Sequence, residues 1–458
     1  MGAGAQAVDW SLGARARSTA PPPPRADTRP GRFDALDTLR CLAVLFMVQG
    51  HTFYIVIEDG VRSELWYRWH NYLHGYTAPA FLLGAGLAFG VVTFRTLPSH
   101  LVWGKALYKR LWRYLSIIII GYALQLPAPH LDYSALSEAR MRLFFRVDAL
   151  QHIGVVLLCC QLLVFALRRR GVITTAAFAL GGVIVLAGPA MSRLPLEEMV
   201  PLGIAGYLTS NTGSPFPLMP WAGFVLWGIG IAGLIPDRSV GMPSLRLSGA
   251  LLGGGLALVL AALWLDVTVP GAFGEHNYWK TSPYFFLRRL GWILALMGGF
   301  ALLDWILRRR STDAAERPRP ARDWIQLIGQ NSLIVYVAHL LVLYGSPFTR
   351  GVRSYASHSL SVAVGSLLVV LICAAMVLLL VLWRRLDRTH GKPFANARLT
   401  ALTALGLMVV SCAWGIAHRD APEPLAQQPQ TPAVAAPTTE TPVQRPQAAG
   451  VTILRTGL

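Results

Sequence analysis

Imidazoles, carboxylates and guanidinium groups recur in this sequence inside stretches that are otherwise apolar. One stretch opens with Leu36-Asp37-Thr38-Leu39-Arg40-Cys41 and runs on to Gln49-Gly50-His51. On a helix, His51 stands about 20° off the Arg40 face and about 16 Å along the axis. Asp37 precedes Arg40 by three residues and can pair with its guanidinium. A second stretch carries His70 and His74, four residues apart and therefore stacked on one face of any helix that reaches back so far. A third opens Asp148-Ala149-Leu150-Gln151-His152, again an acid four residues before an imidazole. A fourth holds Gln330-Asn331-Ser332, then Tyr336 and His339, and Arg288 and Arg289 begin a fifth. An ionisable group inside a bilayer costs about 2.5–3.5 kcal/mol on insertion scales, so such groups mark function or specific pairing.

An imidazole in such a setting can act as general base or nucleophile, and, for the acyl transfer that the family resemblance given below implies, Asn331, Tyr336 and Gln151 can donate hydrogen bonds to an oxyanion. The catalytic candidates are His51, His70, His74, Asn331, Tyr336 and His339. The substrate-binding candidates are Asp37, Arg40, Asp148, Gln151, His152, Arg288 and Arg289. A structural hydrogen-bond network explains any one cluster equally well, and an arginine at a membrane edge can simply snorkel. Four clusters in one bundle favour a polar interior site. The His70–His74 spacing also suits a metal, yet no third ligand at fixed spacing and no HExxH follow, so no metal is expected.

The elements that must position these groups are membrane helices. The chain has 458 residues, 54% hydrophobic and only 14% charged, against about 25% charged in soluble proteins. Eleven apolar stretches approach the length of about 20 residues that a bilayer core needs: 36–57, 72–94, 112–128, 148–167, 172–191, 218–235, 247–265, 284–307, 324–347, 359–383 and 400–416. The expected fold is an all-α polytopic transmembrane bundle. Residues 1–34 and the Pro/Gln-rich 417–458 read as disordered tails around a membrane domain spanning 35–416. The first tail lacks the apolar core of a signal peptide. Pro79, inside the second stretch, predicts a kink or cavity, and Gly84 and Gly86 predict close helix contact.

The net charge of +18 falls between the apolar stretches. With the N-terminus in the cytoplasm, inner segments hold about three times as many Lys and Arg as outer loops, as the positive-inside rule requires. That places the C-terminal tail outside. No nucleic-acid signature accompanies the charge. The five cysteines, Cys41, Cys159, Cys160, Cys373 and Cys412, all fall within apolar stretches and read as packing residues.

Arg40 with His51 eleven residues later resembles the Arg-x10-His motif of bacterial membrane acyltransferases that O-acylate envelope glycans. Other segments are similar to a sister family, the heparan-alpha-glucosaminide N-acetyltransferase-like catalytic domain. They are Thr77-Ala78-Pro79-Ala80-Phe81, Val147 through Gly154, Phe216-Pro217-Leu218-Met219-Pro220-Trp221, Phe285 through Gly291, and Gly329-Gln330-Asn331-Ser332-Leu333. The resemblance runs in order over roughly residues 33–345. It implies transfer of an acetyl group from acetyl-CoA, entering from the cytoplasm, to an amino or hydroxyl sugar outside, by a multi-pass protein of a bacterial inner membrane. The first family's histidine falls on His51. The second family's falls in the outer loop that holds His70 and His74, so two nominations stand. Cys41 replaces the glycine usual after the motif arginine. Basic segments 95–113 and 308–323 are candidates to attract the phosphates of the donor. Two other readings are a transporter or flippase for a metabolite or lipid-linked sugar, and a non-catalytic protein of the same fold. The first would need paired broken helices in two repeats, and no repeat is visible in the sequence.

Overall fold

A computed structural model describes residues 33–127, 137–237, 244–309, 320–346 and 349–417. Nearly all of these residues are helical. In chain order the main helices are α1 (Asp34–Val56), α2 (Leu65–His74), α3 (Thr77–Arg95), α4 (Lys105–Ala123), α5 (Ala149–Leu167), α6 (Arg170–Met191), α7 (Leu218–Leu234), α8 (Leu245–Thr268), α9 (Pro283–Arg309), α10 (Pro320–Gln330), α11 (Ser332–Tyr344) and α12 (Val362–Ala417). The only β structure among the described residues, apart from an isolated bridge between Ile57 and Leu360, is the antiparallel pair Gly345–Ser346 and Thr349–Arg350. Among the described residues seven helices are long and apolar enough to cross a bilayer, α2 and α3 counting together as one, with an eighth if α10 and α11 form one bent span. The protein is therefore a multi-pass membrane protein.

Each of the eleven expected apolar stretches lies largely in helix, but they divide differently. α7 has only 17 residues, and α4 carries Lys105, Lys109, Arg110 and Arg113 in its first half. α10 and α11 meet at an angle of 70° around Asn331. The last two stretches belong to the single 56-residue α12. Arg398 lies 5.1 Å over the Trp383 ring and 3.8 Å from Asp387. Fifteen residues of straight helix would span about 22 Å, so α12 doubles back between Trp383 and Arg398. Pro393 lies in that bend, where its missing N–H interrupts the helical ladder. The returning arm brings Met408 and Val409 against Leu126 and Phe144. The two expected tails, residues 1–32 and 418–458, fall outside the described residues.

The second expected span also differs. Its helix breaks at Gly75-Tyr76, so Pro79 is the third residue of α3. In a first turn the missing N–H has no intrahelical partner to lose, and Gly75, Thr77 and Ala78 around the break line a cavity, the other outcome expected of Pro79. Gly86 does what was expected of it. A Cβ there would meet the Val225 carbonyl, and one on Gly228 would lie 2.5 Å from the Leu83 carbonyl, so α3 and α7 pack backbone to backbone. α7 is clamped on its other side by α6, while α8 pairs with α9 and α4 with α5.

At the proximal end of the bundle, where α1 begins, Asp34 accepts hydrogen bonds from Arg308 (2.7 Å), Gln326 (3.0 Å) and Arg322. Arg308 also bonds Asp304 at 2.8 Å. These bonds tie α10 to α1 and α9. They also engage Arg308 and Arg322, two of the expected phosphate-attracting cations, while 310–319 lies outside the described residues. Gly329 closes the contact by sitting on the Asp37 backbone.

Candidate active site

At the opposite, distal end, α1 presents His51 toward α2 and α11. The His51 ring lies 5.3 Å from His339 and 5.5 Å from His74, centroid to centroid. His70 and His74 lie with planes 5° apart at 6.3 Å, as their four-residue spacing on α2 predicts. The ring of His74 occupies the space a side chain at residue 50 would fill, and a Cβ on Gly50 would overlap it. Glycine at this position is what lets α2 lay an imidazole against α1. His70 bonds Gln49 Oε1 at 2.8 Å, a second tie between the same helices.

Hydrogen bonding fixes the tautomers. His339 Nδ1 is 2.9 Å from the Val335 carbonyl, which can only accept, so Nδ1 carries the proton. In the neutral ring Nε2 is then an acceptor. It lies 3.2 Å from His51 Nδ1, which must donate. The lone pair of His51 is left on Nε2, the tautomer a general base requires.

His51 and His74 border a cavity of about 840 Å³. Tyr336, Asp148, Gln151 and Arg289 line it as well. Asp148 caps α5 by accepting from its own Ala149 N–H at 2.7 Å, the usual role of an aspartate ahead of a helix. Its other contacts are Arg146 at 3.8 Å and the Tyr336 hydroxyl at 3.5 Å. Gln151 donates to Gln125 at 3.0 Å and leaves its own Oε1 without a partner. Arg289 lies 3.8 Å over Phe285 and 5.5 Å from the centre of Trp221. Near this wall Tyr278 donates to Asp266 at 2.7 Å. Burial, and then that bond, push its phenol well above the ordinary range, so it remains protonated.

Six of the candidates thus face one cavity, and two more back it. His70 and His339 touch the imidazoles that border it. The others do not join. Asp37, Arg40 and Asn331 lie toward the proximal end. Arg40 is within Coulombic reach of Asp37, which also accepts from Gln330 at 3.3 Å. Asn331 gives its amide to the Leu327 carbonyl at 2.8 Å, a carbonyl at the break between α10 and α11, so it is engaged there rather than aimed at an oxyanion. The expected Asp148–His152 pair does not form. His152 turns to the Phe216 carbonyl at 3.0 Å, because Asp148 is drawn into capping. Arg288 stacks on Phe285 at 4.9 Å. The cavity also has lining residues that spacing alone did not nominate, among them Arg146, Lys280, Trp279 and Arg353. Arg146, two residues before the helix-capping Asp148, was the most readable of these. Lys280 stands in the single helical turn Tyr278–Thr281 and Arg353 in the short 3-10 turn Val352–Ser354, both too short to carry a periodic signal. Among the described residues no group of three His, Cys, Asp or Glu could hold a metal.

Residues 32–253 match the family model described as heparan-alpha-glucosaminide N-acetyltransferase, catalytic. The match takes in His51, His74, Asp148 and Gln151 and ends within α8, before the wall formed by α9 and α11. No curated protein matches the chain.

Proposed function

From a heparan-alpha-glucosaminide N-acetyltransferase-like catalytic domain over residues 32–253, we propose a membrane acetyltransferase that moves an acetyl group from acetyl-CoA on the cytoplasmic side to an amino or hydroxyl group of a glycan on the outer side. The observation that carries the reading is the His51–His339 pair at the edge of the cavity. His51 Nε2 removes the proton of the acceptor as it attacks the thioester carbonyl, and the imidazolium returns that proton to the departing thiolate. His339 holds the ring in the required tautomer. Tyr336, which lines the cavity and whose hydroxyl lies 3.5 Å from Asp148, is the candidate donor to the oxyanion, its proton turning from the carboxylate to the developing charge. His51 near the distal end and Arg40 near the proximal end suit a long donor whose nucleotide stays in the cytoplasm while its thioester reaches the outer half.

The test is acetyl transfer by the purified protein in detergent, with acetyl-CoA and a set of amino and neutral sugars. Wild-type protein transfers, and His51→Ala, folded and inserted, is slower by about 10²-fold or more. Normal turnover in His51→Ala with turnover lost in His74→Ala would move the base to α2. The bent α10–α11 pair is the one observation that favours a transporter, since broken helices build transport sites. Among the described residues it has no counterpart in a second repeat. Sugar uptake into proteoliposomes without acetylation would establish that reading instead.

A further inference from the structure

The cavity is cationic. Arg146, Lys280, Arg289 and Arg353 line it, against Asp148, and Asp148 already serves Arg146, Tyr336 and its own helix. Among the described residues no carboxylate lies in salt-bridge range of Lys280, Arg289 or Arg353, and Arg289 Nε has no hydrogen-bond partner. A guanidinium stays charged at any physiological pH. Without a counter-ion in a membrane-embedded wall it is costly. Ring faces hold it from the side: Phe285 at 3.8 Å and Trp221 at 5.5 Å. Such stacking occupies the face of the guanidinium and leaves its in-plane N–H groups for a ligand. Beside the main cavity is a niche of about 10 Å³, near the space of one water. Trp221, Trp279, Lys280 and Arg289 line both.

We propose that Arg289, with Lys280 beside it, binds a negatively charged group on the acceptor, so that the protein selects an anionic sugar over a simple amino sugar. A carboxylate, sulfate or phosphate ester seated there takes paired N–H bonds from the guanidinium, while the ammonium of an unsubstituted amino sugar is repelled by the lining. The proposal rests on the reading of this cavity as the acceptor site. An anionic lipid headgroup offers the same chemistry, and the experiment separates the two sources.

The probes are glucosamine and glucosamine 6-sulfate, titrated without acyl donor into the full-length protein and followed by tryptophan fluorescence, since Trp221 and Trp279 flank the niche. The protein is held in nanodiscs of phosphatidylcholine alone or with phosphatidylglycerol. The sulfated sugar binds at least about tenfold tighter than glucosamine in both lipids, and Arg289→Gln erases that preference while Arg289→Lys keeps part of it. Equal affinities, or a preference that survives in Arg289→Gln, overturn the proposal. So does a preference abolished by phosphatidylglycerol, which would make the lipid the ligand. Should both Arg289 variants fail to insert, the wild-type comparison decides alone, repeated with glucose against glucuronate. Because no donor is present, a protein that binds the anionic sugar but never transfers acetyl defeats the enzymatic reading and leaves this one standing.

Discussion

His51 is a useful base only if its proton sits on Nδ1, and that depends on a carbonyl one helical turn away from a different histidine. Val335 holds His339, and His339 holds His51. The chain of dependence makes a testable pattern. His339→Phe removes the acceptor, leaves the His51 N–H unpartnered at a cost of about 1–3 kcal/mol, and lowers kcat with little change in KM. His339→Gln restores an acceptor oxygen and recovers part of the rate. Equal losses in the two variants, measured by steady-state acetyl transfer, would reject the positioning role. At the proximal end Asp37 and Arg40 are coupled by charge, so Arg40→Ala combined with Asp37→Ala costs less stability than the sum of the single changes, as a double-mutant cycle reads it. Full additivity would reject that coupling.

At the scale of elements, the site is a meeting of helix ends rather than a property of any helix. α2 reaches α1 only because Gly50 is bare and His74 fills the vacancy. Gly50→Ala forces the ring out or the helices apart and destabilises by about 1–3 kcal/mol, the usual cost of overpacking. Removing the obstacle tests the cause: Gly50→Ala with His74→Ala regains stability over Gly50→Ala alone. A double variant no better than the single one, by thermal melting in detergent, would show that the strain lies elsewhere. α10 and α11 illustrate the complementary device. Their break at Asn331 turns α11 so that Tyr336 faces the cavity and His339 backs onto His51, while Asp34 fastens α10 at its other end through Arg322 and Gln326.

For the whole molecule the testable property is direction. The positive-inside bias predicts that α1 starts in the cytoplasm, an orientation that would put the histidine cavity on the outer side. Reporter fusions at Arg169 then read cytoplasmic and fusions at Asn211 read outside. The same side for both would overturn the orientation. The doubling back of α12 belongs to this scale too, since it returns the chain after Pro393 to the distal end, against Leu126 and Phe144.

Composition alone determined that this is a membrane protein, because a chain 14% charged has too little polar surface for water. Periodicity determined which residues share a face: the four-residue spacing of His70 and His74 is a helical neighbourhood wherever the helix lies, and the stacked rings follow from it. Spacing within a segment could not determine which segments meet. His51 and His339 are separated by most of the chain, and their bond exists only because α11 is tilted by a break and α1 is packed beside it. The same limit explains the failed Asp148–His152 pair, where a capping demand at the end of α5 outbid a neighbour one turn away. It explains Lys280 and Arg353 as well, whose single helical turns are too short to carry a pattern and whose place on the cavity wall is set by packing between helices distant in sequence.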